Sequence, residues 1–434
     1  MPAPPDGGRL RQRLKVLSLC ALALLAPAGP AAAGWLDLDA ECREGRHSLN
    51  GEAVYRICMP RFWNGDLVVY AHGYVSPLEP VGIPEDQLNI GGTSIEETFT
   101  RLGYAFAVTS YAHNGLAIAQ GVADVTDLVR VFAAQEGEPS RVYIVGVSEG
   151  GAVATLAVER DPLTFSGGLA ACGPIGWFLG QINYQVQFRV LFDYFFPGIL
   201  PPSPVAVPQS VIDNWPAYEA VVRWVVTDPA RYGPMVQLFR LAGVPVDVND
   251  PEAVSDVAAH LLKVNVLGSN DAVVRLGGQP FDNTTAWYQG SDDDARLNAL
   301  VQRFAADPAA LQTIASFYET SGYLQRPLVT LHTTADPVVP YGHIDAYTKA
   351  VQLGSQDHLR SLAVERFGHC AFSEAEAVYA FSVLVRDVTG GPLADAEMAL
   401  ATPTARADYR ALQRGGGTKP KSSPAPRPAA PSLP

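Results

Sequence analysis

The stretch Arg141-Val142-Tyr143-Ile144-Val145-Gly146-Val147-Ser148-Glu149-Gly150-Gly151, continued by Ala152-Val153-Ala154-Thr155-Leu156-Ala157-Val158, decides the fold. A short β-branched run ends in a serine flanked by glycines, and a helix-forming run follows at once. A strand that turns this sharply into a helix leaves no room for side chains beside the serine, a steric reason for Gly146 and Gly150. The serine then stands on a corner, its hydroxyl exposed and the first backbone N–H groups of the helix beside it. A nucleophile that generates an oxyanion needs that exposure and those donors. The competing reading is a serine that only caps a helix after a buried strand.

Working outward, the chain alternates strand and helix on both sides of Ser148. Residues 35–62 read as an opening hairpin. Leu67-Val68-Val69-Tyr70-Ala71 is a buried-type strand ending in His72-Gly73-Tyr74. A helix over 94–102, a strand over 104–110 and a helix over 117–135 lead to the Ser148 strand and its helix, and Gly168 to Pro174 forms one more strand and turn. This alternation implies a mostly parallel sheet with crossover helices, that is, an α/β fold. It stops for about 150 residues: from Ile175 to Gln325 the chain is proline-broken, with helices expected at 209–227, 251–266, 295–305 and 308–319. It resumes with a strand at 327–333, a helix at 343–353, a strand at 359–366 and a helix at 373–388. Ligands bind such sheets at the carboxyl ends of the strands, so the interruption is expected to form a lid over that edge.

The 434 residues suffice for one large domain with an insertion or for two domains. Arg9 to Lys15, the short apolar run Val16 to Pro27 and Ala31-Ala32-Ala33 read as a secretory signal over residues 1–33, cut near Gly34. The apolar run is too short and proline-broken to span a membrane, and the leucine before Cys20 spoils a lipoprotein box. Residues 415–434, rich in Gly, Pro and Ser without a hydrophobic period, are expected to be disordered. Setting both ends aside leaves 24 of the 31 basic and 43 of the 44 acidic residues, a net charge of −19. So acidic a body argues against nucleic acid and anionic membrane surfaces as partners. The organisation expected is a signal segment at 1–33, a sheet core in two parts at 34–175 and 326–414, a helical lid at 176–325 and a tail at 415–434.

Four cysteines remain after the signal: Cys42, Cys58, Cys172 and Cys370. An even count in an exported chain suggests two disulfides, with three pairings open. Cys42 and Cys58 flank the opening hairpin and form the natural pair, which leaves Cys172 with Cys370. The alternative is that some remain buried thiols.

A serine hydroxyl attacks well only when a base takes its proton and an acid orients that base. Asp336 follows the strand ending Thr333-Thr334-Ala335 and precedes Pro337-Val338-Val339-Pro340. His369 follows Glu365-Arg366-Phe367-Gly368. Both sit directly after strands, and the order Ser148, Asp336, His369 suits an α/β sheet enzyme. The competing reading is that Asp336 is only a turn residue before proline. Of the other histidines, His72 packs under its loop, His332 is a strand residue, and His47, His260, His343 and His358 read as surface or helix-end residues. Tyr111 and His113 either reach the pocket rim or decorate a loop. The backbone N–H groups of Tyr74 and Glu149 are placed to bind an oxyanion. Metal-ligand spacings such as H-x-x-x-H or C-x-x-C are missing, as is a phosphate-cradling glycine loop after a strand, so neither metal nor cofactor is expected. Asn283-Thr284-Thr285 fits a glycosylation sequon.

Gly146-x-Ser148-x-Gly150, His72-Gly73, Asp336-Pro337-Val338-Val339-Pro340 and Gly368-His369 together resemble the α/β-hydrolase superfamily, over most of residues 60–175 and 326–390. The resemblance implies an α/β-hydrolase fold and a serine hydrolase, secreted and esterase- or lipase-like, with its triad at Ser148, Asp336 and His369. A cysteine directly after the histidine, here Cys370, also resembles the tannase and feruloyl esterase group. In that group the partner cysteine precedes the serine, where this chain has Val147. The expected substrate is a carboxylic ester, small or polymeric, with an apolar or aromatic portion. Rival readings are a secreted peptidase or amidase of the same fold and a non-catalytic binding protein on a hydrolase scaffold. Lid aromatics such as Trp177, Phe178, Tyr184, Phe188 and Trp224 either form the lid's own core or line an apolar pocket.

Overall fold

The computed structural model describes residues 40–47, 51–393 and 395–415. The expected signal segment, and the tail beyond Gly415, lie outside these residues. Ten strands are described: β1 (Glu41–His47), β2 (Ala53–Met59), β3 (Asp66–Ala71), β4 (Asn89–Ile90), β5 (Thr93–Ser94), β6 (Ala105–Thr109), β7 (Arg141–Val147), β8 (Gly167–Ala171), β9 (Leu328–Ala335) and β10 (Leu359–Phe367). Strands β4 and β5 pair only with each other, and the other eight form one sheet in the order β1-β2-β6-β3-β7-β8-β9-β10. Within that eight-stranded sheet only the β1–β2 and β2–β6 pairings are antiparallel. The rest are parallel, as the strand–helix alternation demands.

The central strands are buried on both faces because helices cover both. On one face lie α1 (Ile95–Arg101) and, from the far end of the chain, α12 (Glu374–Thr389), itself packed by α13 (Pro403–Gly415). On the other lie α2 (Ile118–Glu136) and α3 (Glu149–Arg160), with α11 (Gly342–Ala350) beside them. Residues alternate strictly between these layers: Leu67 and Val69 face α2 and α3, whereas Val68 and Tyr70 face α1 and α12. Each fully buried Phe or Leu contributes about 1.5–3 kcal/mol, so the two layers dominate the stability. Cys42 and Cys58 stand opposite each other in the β1–β2 register and are joined by a disulfide; Cys172 is bonded to Cys370, 198 residues later.

Between β8 and β9 the described chain is helical: α4 (Phe178–Phe195), α5 (Gln209–Asp213), α6 (Trp215–Thr227), α7 (Tyr232–Ala242), α8 (Pro251–Leu276), α9 (Asp294–Leu300) and α10 (Pro308–Phe317). Phe188, Phe192, Phe196 and Trp215 sit in a core that belongs to this insert alone. Helix α8 runs ten residues past the expected end at 266. Its start is set by Asp250, which accepts the N–H groups of Glu252 and Ala253, and by Pro251 in its first turn; Gly277 ends it in the left-handed region.

Some local expectations fail. His47 is buried in strand β1 and not at the surface; His343, a helix-end residue as expected in the first turn of α11, is buried too. His47 bonds Asp127 and Thr109, and His343 bonds the Gln181 amide oxygen. The Asn283 of the sequon is buried as well, donating to Tyr288 and Gln302 while accepting the Phe304 N–H. A side chain committed in this way is a structural bracket.

Candidate active site

The bend after β7 is as tight as the glycines suggest. A Cβ on Gly146 would overlap the Gly150 carbonyl, and one on Gly150 would overlap the carbonyls of Ala71 and His72. Ser148 takes φ 57° and ψ −123°, a conformation costing about 1–3 kcal/mol for a residue other than glycine. Two backbone bonds offset that cost: the Ser148 N–H donates to Ala171 at 2.9 Å, and the Gly151 N–H donates to Ser148 at 2.8 Å.

Ser148 Oγ lies 2.8 Å from His369 Nε2, and His369 Nδ1 lies 2.8 Å from Asp336 Oδ2. Asp336 is fully buried. Its other oxygen accepts the N–H groups of Val338 and Val339 at 2.8 and 3.0 Å, which the Pro337 turn brings round to it. Those bonds hold a carboxylate where no arginine or lysine pairs with it among the described residues. His332 lies 3.6 Å from the same carboxylate, but its Nε2 is spent on the Val339 carbonyl, and burial depresses its pKa. His369 is fixed on both flanks. The Gly368 carbonyl accepts from Thr333 at 2.6 Å, and Cys370 is tied to Cys172 beside β8.

A mostly parallel eight-stranded sheet with its second strand reversed, a strained serine at the β7–α3 corner and the acid and histidine after the last two strands complete the pattern. The chain has the α/β-hydrolase fold. No protein-family model matches it, and no curated protein matches it. Among solved structures it is similar to an acylaminoacyl peptidase from Pyrococcus horikoshii, at 12% identity and a TM-score of 0.42 over 84% of this chain and 44% of that one. It is similar to feruloyl esterase B from Aspergillus oryzae, at 14% identity and a TM-score of 0.42 over 81% and 80% of the two chains. It is also similar to an esterase from Pyrococcus furiosus, at 10% identity and a TM-score of 0.38 over 77% and 84%. The chain spans less than half the length of the peptidase, and likenesses this distant carry no activity across.

The two expected oxyanion donors flank the serine. Glu149 opens α3, where the first N–H groups of a helix have no intrahelical partner. Tyr74 follows Gly73, whose Cα packs so close to the corner that an added Cβ would sit 3.1 Å from Ser148 Cβ. His72 Nδ1 bonds the Gly73 carbonyl at 2.7 Å. In a trans peptide the C=O and the following N–H point opposite ways, so this bond turns the Tyr74 N–H away from His72. Burial holds His72 neutral, its pKa down to about 4. Tyr111 stacks on it at 4.0 Å and is fully buried, so Tyr111 is a support rather than a rim residue.

Sequence reasoning missed Gln87. Its amide oxygen accepts the Gly73 N–H at 2.8 Å, and its amide nitrogen donates to the Tyr74 carbonyl at 3.1 Å. Its own carbonyl accepts the Tyr70 hydroxyl at 2.9 Å. One side chain therefore clamps both ends of the Gly73–Tyr74 unit. Gln87→Ala is expected to lower kcat by roughly tenfold to a hundredfold, part of what loss of a whole oxyanion donor removes, with little change in KM. An unchanged kcat in steady-state ester assays would count against this.

Burial raises the Glu149 carboxyl from its ordinary 4.5 to about 8, although it accepts the Ala117 N–H at 2.8 Å. A carboxyl whose folded pKa is raised contributes stability that is complete below the unfolded value and lost as pH rises through the folded one. The Glu149 contribution to stability should therefore decline from about pH 5 to pH 8. Glu149→Gln keeps an acceptor for Ala117 and removes the titration, so its Tm should fall less over that window. Parallel Tm–pH curves for the two proteins would refute the assignment.

Ser148, Glu149, Tyr74 and His369 open on a mainly apolar cavity of about 470 Å³. Of the insert's expected aromatics only Phe178 lines it, whereas Phe99, Phe372 and Phe381 reach it from α1, α12 and the turn before α12. Helix α8 contributes His260, Val264, Gly268 and Ala272, a stripe at every fourth position. His260 is exposed, as its reading as a surface or helix-end residue expects, and it also lines this cavity, where desolvation and then the neighbouring His369 lower its pKa to about 4.

Proposed function

We propose that this chain is a secreted serine hydrolase that cleaves carboxylic esters with an apolar or aromatic portion. The observation that supports it most is the unbroken relay from Ser148 Oγ through His369 to buried Asp336, opening on a cavity lined largely by hydrocarbon. In this reading His369 Nε2 takes the Ser148 proton as Oγ bonds to the ester carbonyl carbon. The carbonyl electrons move onto oxygen, where the Tyr74 and Glu149 N–H groups stabilise the charge. The intermediate expels the alkoxide, which takes the proton from His369, and an acyl-serine remains. Water, deprotonated by His369, then attacks the acyl carbon; Ser148 leaves with that proton and the carboxylic acid is released. Asp336 keeps the imidazole in the tautomer that accepts at Nε2 and stabilises the imidazolium that forms. With its carboxyl protonated, Glu149 puts no negative charge beside the oxyanion.

The helical insert acts here as a lid. Its attachments to the core support that role: Gln181 and Tyr184 donate to the carbonyls of Val338 and Pro337, and Asp271 on α8 accepts the Leu116 N–H. Two disulfides fit an oxidising compartment. Among the described residues no helix is long and apolar enough to cross a membrane.

The test is a panel of p-nitrophenyl esters set against aminoacyl-anilides of matched acyl part. Faster turnover of the esters supports the proposal. Turnover of anilides alone would reassign the chain as an amidase or peptidase.

A further inference from the structure

The cavity below Ser148 is built in rows. Tyr70, Val145 and Leu169 stand in register across β3, β7 and β8, all on the face toward α1 and α12. One pleat nearer the serine, Val147, Ala171 and Leu331 form a second row across β7, β8 and β9. Both rows line the same cavity as Ser148, with Phe99 and Leu102 facing them from α1 and its cap, and Val378 and Phe381 from α12. Val145 is three residues before Ser148, so at about 3.3 Å per residue the lower row lies about 10 Å beneath the nucleophile. Phe99 and Phe381 meet edge to face at 4.8 Å and close the space between the two helices.

The chemistry of this well is uniform. Its hydroxyl protons are already committed: the Tyr70 hydroxyl donates to the Gln87 carbonyl at 2.9 Å, and the Thr98 hydroxyl donates to the Ser94 carbonyl at 2.7 Å, which leaves both oxygens as acceptors only. A charge carried into it would lose its water without gaining a partner, and a hydroxyl would find at most an acceptor. The insert side of the cavity differs, presenting Gln185, His260 and Ser269.

We propose that the well beneath Ser148 receives the acyl chain of the substrate, an unbranched aliphatic chain of about octanoyl length, while the alcohol portion faces α4 and α8. The proposal rests on Ser148 as the nucleophile. Hydroxylated aromatic acyl groups are disfavoured there, because a phenol in the well would exchange its water for at most an acceptor and no donor. Each methylene buried in a preformed well strengthens transition-state binding about fourfold, until the closed end is reached.

The experiment is a chain-length series of p-nitrophenyl acetate, butyrate, octanoate and palmitate, with a hydroxycinnamate ester beside it. Expected is a rise in kcat/KM of at least a hundredfold from acetate to octanoate, with no further gain at palmitate. Leu169→Phe and, independently, Val378→Phe should each lower the octanoate-to-acetate ratio at least tenfold, with folding checked by Tm. Fastest turnover of acetate or of the hydroxycinnamate, or a ratio unmoved by either substitution, would overturn the proposal while leaving the Ser148 reading intact. Absence of any Ser148-dependent ester turnover would overturn that reading and the well with it. A crystal structure of the wild type carrying an octylphosphonate on Ser148 answers without substitution: the chain should lie against Val145 and Leu169, and a chain running along α8 would refute the proposal.

Discussion

Replacing Ser148 with alanine is expected to reduce kcat on a p-nitrophenyl ester by roughly 10⁶-fold, as removal of a triad nucleophile does when the rest of the site survives. The change is clean. Alanine has the same steric preference as serine at φ 57°, so the corner gains no new strain. The two backbone bonds that brace it, to Ala171 and from Gly151, do not involve the hydroxyl. The proposed oxyanion donors and the cavity remain, so residual turnover above that in water should persist and KM should change little. Steady-state kinetics on the two proteins, with equal Tm as the folding control, checks this. Activity within tenfold of wild type would mean that another group attacks the carbonyl.

Asp336→Asn should lower kcat by about 10⁴-fold, through the tautomer of His369 rather than through the fold. One oxygen of Asp336 accepts the Val338 and Val339 N–H groups, and the other faces His369 Nδ1. An asparagine must keep its oxygen toward the two N–H donors, because its NH2 would oppose them. The NH2 then points at Nδ1 and donates to it, which forces the imidazole proton onto Nε2. There it meets Ser148 Oγ as a donor and can no longer accept the serine proton. Asp336→Ala removes the carboxylate without imposing the wrong tautomer, so it should be no more damaging than the asparagine. A loss below tenfold in the asparagine variant would remove Asp336 from the relay.

The sheet was readable because its strands are buried on both faces. Leu67 to Ala71 and Val142 to Val147 are unbroken apolar runs, and each ends at a glycine or polar turn where the sheet presents its carboxyl edge. Ser148 stands out for the same reason, whereas Asp336 and His369 follow strands of mixed composition and are marked by the proline and glycine turns that hold them. The insert was harder to read. Helix α4 faces the sheet core, the cavity and the insert's own core, so apolar residues surround it and the helical period is blurred. Helix α7 begins Tyr232-Gly233-Pro234, which reads as a turn although proline fits a first helical turn. In α8, Gly268-Ser269-Asn270 looks like a break. The glycine is instead a fitted gap, since a Cβ there would lie 3.1 Å from the Tyr74 hydroxyl. Gln87 left no local trace, because its partners are brought to it by a loop that folds back onto His72-Gly73-Tyr74.

The account turns on Ser148 Oγ being the atom that bonds to the substrate carbonyl carbon. Intact-mass and peptide mass spectrometry after treatment with a fluorophosphonate tests this most directly. The wild type should gain one phosphonyl group, mapped to the peptide carrying Val147-Ser148-Glu149, and lose ester turnover in step with labelling. A protein that stays unlabelled, or carries its adduct on another residue while turnover is lost, would contradict it.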